Sequence, residues 1–342
     1  IRMINVKKQL SLTPVQEFEG TWKQAIGDSI INFSAAGYFF AKRLHKKLNV
    51  PIGIIHASWG GTDIEAWTSR AKLSTLDVLD ETMSNYGALI ENASKSHEWF
   101  SQFESKKSPS DIWYLFIEDP HGVPEQWKHF DFRDEPYITS KDTDYDSWKQ
   151  IKIPGSIDNI YETNDFDGAI LIQKAFTLTA IKGDYSLRLG AVNDMDFTYL
   201  NGELIGSTMG KPSANTRTYK IPKNILKVGK NSIVIRVVNQ YKEGNVGSVS
   251  LLHSETAPID LDGTWNYKVS AEVYHSLSAH SWPYIDFYFY NKASIDFSKR
   301  PAVTTYNQNS KSSLFNGMIN PLVPYNIKGT IWYQGENNVP RF

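Results

Sequence analysis

From Ser34 to Leu48 the apolar positions Ala35, Tyr38, Phe39, Ala41, Leu44 and Leu48 recur near helical spacing, and Ser34 offers a side-chain oxygen to the first turn. The pattern predicts an amphipathic helix that ends in Lys46 and Lys47 and is broken by Asn49 and Pro51. The next run, Val50 to His56, is short, β-branched and bounded by proline and by Gly60-Gly61, which predicts a buried strand. Helix followed by buried strand is the rhythm of an α/β domain.

A different texture begins near Asp111. Ten acidic residues against three basic ones (Lys128, Arg133, Lys141) lie between Asp111 and Asp146, interleaved with aromatic residues and without helical period. From about Trp148 the chain reads as short strands separated by turn signals, the pattern of a β-sandwich. The runs are Ala169 to Leu178, Tyr185 to Val192, Asp196 to Leu200, Glu203 to Ser207, Thr216 to Ile221, Ser232 to Asn239 and Ser248 to His253. Asn201-Gly202, between two such runs, predicts a two-residue hairpin turn because both residues tolerate positive φ. The β texture fades after Trp265 to Val269. Ile327 to Tyr333 again reads as a buried strand, leading into Gln334-Gly335-Glu336-Asn337-Asn338. A β module is thus expected between two pieces of one α/β domain.

Composition narrows the function. The 342 residues carry 36 Lys+Arg and 37 Asp+Glu, so no basic field calls for nucleic acid. No stretch reaches the roughly 18 consecutive apolar residues of a membrane span. The absence of cysteine removes disulfides, thiolate metal sites and cysteine nucleophiles together. The histidines show no metal-ligand pairing such as H-E-x-x-H, and no cofactor is expected.

Two loops carry candidate chemistry. His56-Ala57-Ser58-Trp59-Gly60-Gly61-Thr62 follows a predicted strand, where ligands collect in open α/β sheets, and paired glycines let backbone N–H groups approach a substrate oxygen. A tight strand-to-helix turn is the plain alternative. Trp332-Tyr333-Gln334-Gly335-Glu336-Asn337-Asn338 gathers amide donors, a carboxylate and aromatic faces, which suits either an oxyanion-stabilising loop with a sugar-stacking wall or a hydrogen-bonded polar loop. Gly27-Asp28-Ser29-Ile30 imitates a hydrolase nucleophile signature, but no strand-like run precedes it, and no Gly-x-Ser-x-Gly elbow occurs. His56 reads more readily as a satisfied, buried histidine than as a base.

The first loop, continued by Glu65-Ala66-Trp67-Thr68, resembles the second sequence block of bacterial sialate O-acetylesterases. Phe315-Asn316-Gly317-Met318-Ile319-Asn320-Pro321-Leu322 with Gly329 to Asn338 resembles their third. These enzymes belong to the SGNH hydrolases. The resemblance implies a flavodoxin-like, three-layer α/β/α domain interrupted by a jelly-roll, galactose-binding-like β-sandwich. Residues 1–110 and 263–342 would form the hydrolase domain and 111–262 the insertion. It further implies removal of O-acetyl groups from sialic acid by a serine nucleophile with a histidine base. Gly60 and Gly61 would supply backbone oxyanion donors, Gln334 a side-chain donor with Asn337 or Asn338 as alternatives, and Gly335 and Glu336 the supporting loop. Trp59, Trp332 and Tyr333 would contact the sugar. The family's Gly-Gln-Ser-Asn-Met nucleophile block and its Asp-x-x-His block do not occur here. The chain is therefore expected to be an internal fragment, inert by itself, of a secreted or periplasmic esterase. Other sugar acetyl esters, acetylxylan among them, are the second substrate class, and a non-catalytic carbohydrate-binding protein is the rival.

Overall fold

The computed structural model describes residues 1–76, 86–109, 123–140, 142–161, 166–209, 215–240, 243–274, 286–290, 295–301, 307–333 and 336–341. They divide into two compact units, Ile1–Ser94 with Thr304–Phe342, and Lys95–His275 with Pro283–Val303.

In the first unit, strand β1 (Arg2–Asn5) pairs antiparallel with β2 (Lys23–Gln24) and parallel with β3 (Gly53–His56). Helix α1 (Ala35–Leu48) connects the parallel pair and completes a βαβ crossover. Ser34 caps it by accepting the Gly37 N–H at 3.2 Å, and Asn49 ends it in the left-handed conformation, φ 53°. The helix lies close to the sheet through Gly37, where a Cβ would meet the side chains of Met3 and Ile54 at 3.3 and 3.5 Å. Only Gly37 and Ala41 of α1 are fully buried, whereas Phe39 and Phe40 are exposed.

Two expectations change here. Strand β3 is shorter than Val50 to His56 and half-buried rather than buried. The run Ile327 to Tyr333 forms no strand: it is irregular and exposed, with Ile327, Ile331 and Trp332 about half accessible, because no strand of the described sheet runs beside it. Among the described residues the α/β part is this three-stranded sheet with α1, rather than a full flavodoxin-like core.

The second unit is antiparallel throughout. Its large sheet takes β4 (Ser105–Lys107), β5 (Lys149–Ile153), β7 (Gly168–Leu178), β9 (Met195–Leu200), β10 (Glu203–Thr208), β12 (Gly229–Asn239), β16 (Gly263–Tyr274) and β17 (Asp286–Phe289). Their order is β10-β9-β12-β7-β16-β17-β4, with β5 also on β16. A second sheet, β11-β8-β14-β15, uses Arg217–Lys220, Tyr185–Leu189, Val249–His253 and Ile259–Asp260, and β6 (Gly155–Ser156) pairs with β13 (Asn245–Val246). One core cluster joins the two main sheets, with Ile170, Ile172, Ile233, Ile235 and Trp265 from the first and Leu187, Leu189, Val249 and Leu251 from the second. This is a β-sandwich.

Every strand run anticipated between Ala169 and His253 is present within a few residues. The predicted 262/263 boundary falls elsewhere. Strand β16 pairs with both β7 and β5, so residues 263–274 belong to the sandwich, as do 95–109 at the other side. No described helix is long and apolar enough to cross a membrane, and no described group of three or more His, Asp or Glu side chains is placed to hold a metal.

Candidate functional site

Strand β3 ends at His56 and delivers Ala57 to Thr62 as a tight turn. Trp59 is 7% exposed and packs with Val6, Ala66, Leu314 and Met318, while Lys8 Nζ lies 5.2 Å from its ring. It is therefore a core residue, and the sugar-stacking face expected of it is covered. Buried Thr62 closes the turn: its hydroxyl donates to the Trp59 carbonyl at 2.7 Å and accepts the Trp67 indole N–H at 2.8 Å. Gly60 and Gly61 are left outermost. Gly61 has φ +69°, a conformation that favours glycine, and a Cβ at either position would meet nothing within 4 Å. Among the described residues neither glycine N–H has a hydrogen-bond partner. The locked flanks thus hold an exposed turn with open space at both Cβ positions.

Residues far along the chain hold the segment after this turn. Asp63 N–H donates to Asn309 Oδ1 at 3.0 Å, and its carboxylate accepts the Asn337 amide at 2.5 Å. Ile64 N–H donates to Asn338 Oδ1 at 3.0 Å, and Asn338 Nδ2 donates to Glu65 Oε2 at 2.9 Å. The Glu65 carbonyl accepts the Ser312 N–H at 2.9 Å. The two sequence loops thus meet, as a shared site requires, through residues 63–65 and Asn337 and Asn338. Asn338 is buried and uses both ends of its amide in this contact. Glu336 and Asn337 are exposed, as are Trp332 and Tyr333, the latter 89% accessible. Gln334 and Gly335 lie outside the described residues.

The Phe315 to Leu322 block is structural. Asn316 Nδ2 donates to the Ser11 and Leu12 carbonyls at 3.1 and 2.9 Å, and Asn320 Nδ2 donates to the Val15 carbonyl at 2.8 Å. Gly317 admits the chain at Gln9, whose carbonyl oxygen would sit 2.2 Å from a Cβ. These residues fix segment 9–15. The Gly27-Asp28-Ser29 imitation is also structural: the Ser29 hydroxyl faces the carbonyls of Gln24 and Ile26.

His56 is half-buried, and both of its ring nitrogens have side-chain partners. Ser58 Oγ lies 2.6 Å from Nε2 and Asn5 Oδ1 3.0 Å from Nδ1. Burial first, and then the charge of Lys8, lower its pKa. The sequence signal for this contact was a serine two residues beyond a strand-end histidine, which extended geometry places on the same side. Asn5 is supplied by the parallel neighbour, since Asn5 and His56 face each other in the β1–β3 register.

The structure thus defines a two-unit protein, a small α/β unit with a donor-bearing turn at a strand end and an antiparallel β-sandwich. No family model matches the chain. Among curated proteins it is similar to the sialate O-acetylesterase of Homo sapiens, 36% identical over 66 residues, covering 19% of this chain and 13% of that protein. The sialate O-acetylesterase of Mus musculus is 32% identical over 78 residues, 21% of this chain and 14% of the relative. The matched part thus spans about one seventh of these relatives' length. Among solved structures, a β-glucuronidase from an uncultured Clostridium sp. overlaps 46% of this chain and 29% of its own, at 15% identity and TM-score 0.28. An α-L-rhamnosidase from Dictyoglumus thermophilum overlaps 32% of this chain and 14% of its own, at 18% identity and TM-score 0.27. Overlaps this partial bear on neither fold nor chemistry.

Proposed function

We propose that this chain is part of a carbohydrate esterase that removes O-acetyl groups, with O-acetylated sialic acid the leading substrate and acetylated polysaccharide such as acetylxylan the second. One observation carries the reading: two loops some 270 residues apart are bonded together beside an exposed turn at Gly60 and Gly61 whose N–H groups have no hydrogen-bond partner among the described residues. Such donors suit the oxyanion of acyl transfer, where the ester carbonyl becomes tetrahedral. The short relatives named sialate O-acetylesterase and the resemblance of both sequence blocks support the same class. On this reading Gly60 and Gly61 face the acetyl oxygen, Gln334 adds a side-chain amide, and exposed Trp332 and Tyr333 offer faces for a sugar ring. Asn338 holds the loops together instead of meeting the oxyanion. The nucleophile and base are those of the SGNH blocks that these 342 residues do not contain.

The test is acetate release from O-acetylated sialic acid and from acetylxylan by the polypeptide that includes this chain together with those blocks. Gln334→Ala is expected to lower kcat by roughly 10²–10³ with little change in KM, the cost of one oxyanion donor. Unchanged turnover moves the donor role to Asn337, and no acetate release from either substrate removes the reading.

A second reading has one observation in its favour. The sandwich carries a cavity of about 220 Å³ lined by residues that include Phe130, Asp131, Glu135, Leu204 and Arg236. Rings beside charged groups suit a sugar, so saturable binding of deacetylated sugar by a protein that releases no acetate favours a carbohydrate-binding module.

A further inference from the structure

We infer that Ser58, His56 and Asn5 form a nucleophilic relay within this chain, able to take an acyl group from a small activated ester onto Ser58. It shares with the proposed function only the Gly60 and Gly61 donors.

The hydrogen-bond directions follow from the outermost partner. Asn5 Nδ2 donates to the Asn32 carbonyl at 2.9 Å, and a carbonyl can only accept, so the amide oxygen of Asn5 must face His56. His56 therefore carries its proton on Nδ1 and donates it to Asn5 Oδ1. That leaves Nε2 unprotonated and accepting from the Ser58 hydroxyl at 2.6 Å. This is the tautomer a general base needs, fixed through two successive side chains. Burial and Lys8 keep the imidazole neutral near pH 7.

The nucleophile is reachable and the base is held. Ser58 is exposed while His56 is half-buried on the sheet, so an ester can approach Oγ without displacing the base. Two and three residues further on stand the N–H groups of exposed Gly60 and Gly61, which have no hydrogen-bond partner among the described residues.

The step balances without a cofactor. Ser58 Oγ bonds to the ester carbonyl carbon as its proton passes to His56 Nε2. The tetrahedral intermediate collapses, the carbon–oxygen bond to the leaving alcohol breaks, and that alcohol takes the proton. Water then attacks the acyl-serine, gives its proton to Nε2, and releases the carboxylic acid as Ser58 recovers the proton. Lys8 disfavours the imidazolium formed at each stage, so acylation outpaces turnover only for good leaving groups.

The experiment uses the 342-residue chain with p-nitrophenyl acetate. A burst approaching one nitrophenolate per chain is expected, with the acetyl group located on Ser58 by peptide mass spectrometry. Ser58→Ala, at an exposed position, abolishes the burst and the labelled peptide, while His56→Gln slows the burst by roughly 10²–10⁴, the usual contribution of a general base. Asn5 is a positioning residue: Asn5→Leu slows the burst, and Asn5→Asp, which restores an acceptor and adds an anion beside Nδ1, moves the pH midpoint of acylation upward. Circular dichroism of each variant checks folding, and mapping the acetyl group in the unaltered chain does not depend on any variant. An undiminished burst in Ser58→Ala, or acetyl groups found on lysines alone, overturns the relay. Ser58 acetylation by a protein that releases no acetate from O-acetylated sugars leaves the relay standing and removes the proposed function. The opposite pair of results does the reverse.

Discussion

Side-chain amides do much of the architectural work in the α/β unit, and their position in the sequence does not reveal it. Asn338 belongs to a motif that reads as oxyanion chemistry, yet its amide closes a two-ended bond to Ile64 and Glu65. Nothing local announces this, because the partners lie more than 270 residues away and an amide can act as donor or clamp with the same atoms. The open turn at Gly60 and Gly61 was legible because it needs only the absence of side chains, whereas the burial of Trp59 was not, because an indole suits a core and a sugar equally. The role of Asn338 predicts a stability effect. Asn338→Ala removes the acceptor of the part-buried Ile64 N–H and a donor to Glu65, at about 1–3 kcal/mol for the two hydrogen bonds together. Asn338→Asp keeps the acceptor for Ile64 but sets a second carboxylate against Glu65, so its deficit is expected to shrink as pH falls toward 4 and the introduced acid takes up a proton. Thermal unfolding of the two variants at pH 4 and pH 7 checks both; an unchanged melting temperature in Asn338→Ala removes the clamp.

At the scale of elements, the sandwich was readable wherever strands alternate and end in turn residues. Asn201 and Gly202 both take positive φ, 52° and 88°, and join β9 to β10 as their sequence predicts. Strand β16 was read too short for a physical reason. Beyond Val269 its residues are buried on both faces, Ala271 and Val273 together with Ser270 and Glu272, so the two-residue period disappears. Glu272 is tolerated inside because Arg300 and the Tyr290 hydroxyl pair with it. The opposite error arose at Ile327 to Tyr333, where an apolar, β-branched run has strand character but, among the described residues, no neighbouring strand to pair with. Pattern reports what a segment can bury, and pairing decides whether it does. Gly202 offers the direct test of the hairpin: Gly202→Val places a β-branched residue at φ 88° and is expected to destabilise the sandwich by about 1–3 kcal/mol, read from its urea midpoint. Gly202→Ala meets no atom closer than 3.6 Å and so carries the backbone strain alone; equal losses in the two variants would mean that the cost is backbone strain, and a larger loss in Gly202→Val that crowding by the branched side chain adds to it.

For the molecule as a whole, two compact units with separate cores make pH a way to address one of them alone. Asp194 is buried in the sandwich, where its carboxylate accepts the Gln240 N–H at 2.8 Å. Burial raises its pKa from 3.8 to about 6, against the opposing effects of that hydrogen bond and of the Arg217 charge. The folded state therefore holds a proton between about pH 4 and pH 6 that the unfolded chain has released. Because the folded state binds more protons in that window, its stability falls as pH rises through it, the reverse of the usual carboxylate. The gap amounts to about 3 kcal/mol at most, at 1.36 kcal/mol per pH unit. Asp194→Asn retains an oxygen for the Gln240 N–H and cannot ionise. Its stability relative to the parent chain is expected to grow from pH 4 to pH 6 and level off above. Calorimetry across pH 4–8 reads this directly. The variant should move the transition of the sandwich and leave that of the α/β unit in place, because every group acting on Asp194 lies in the sandwich. Parallel pH profiles for variant and parent would mean that Asp194 is already ionised in the folded protein at pH 4, with Arg217 outweighing its burial.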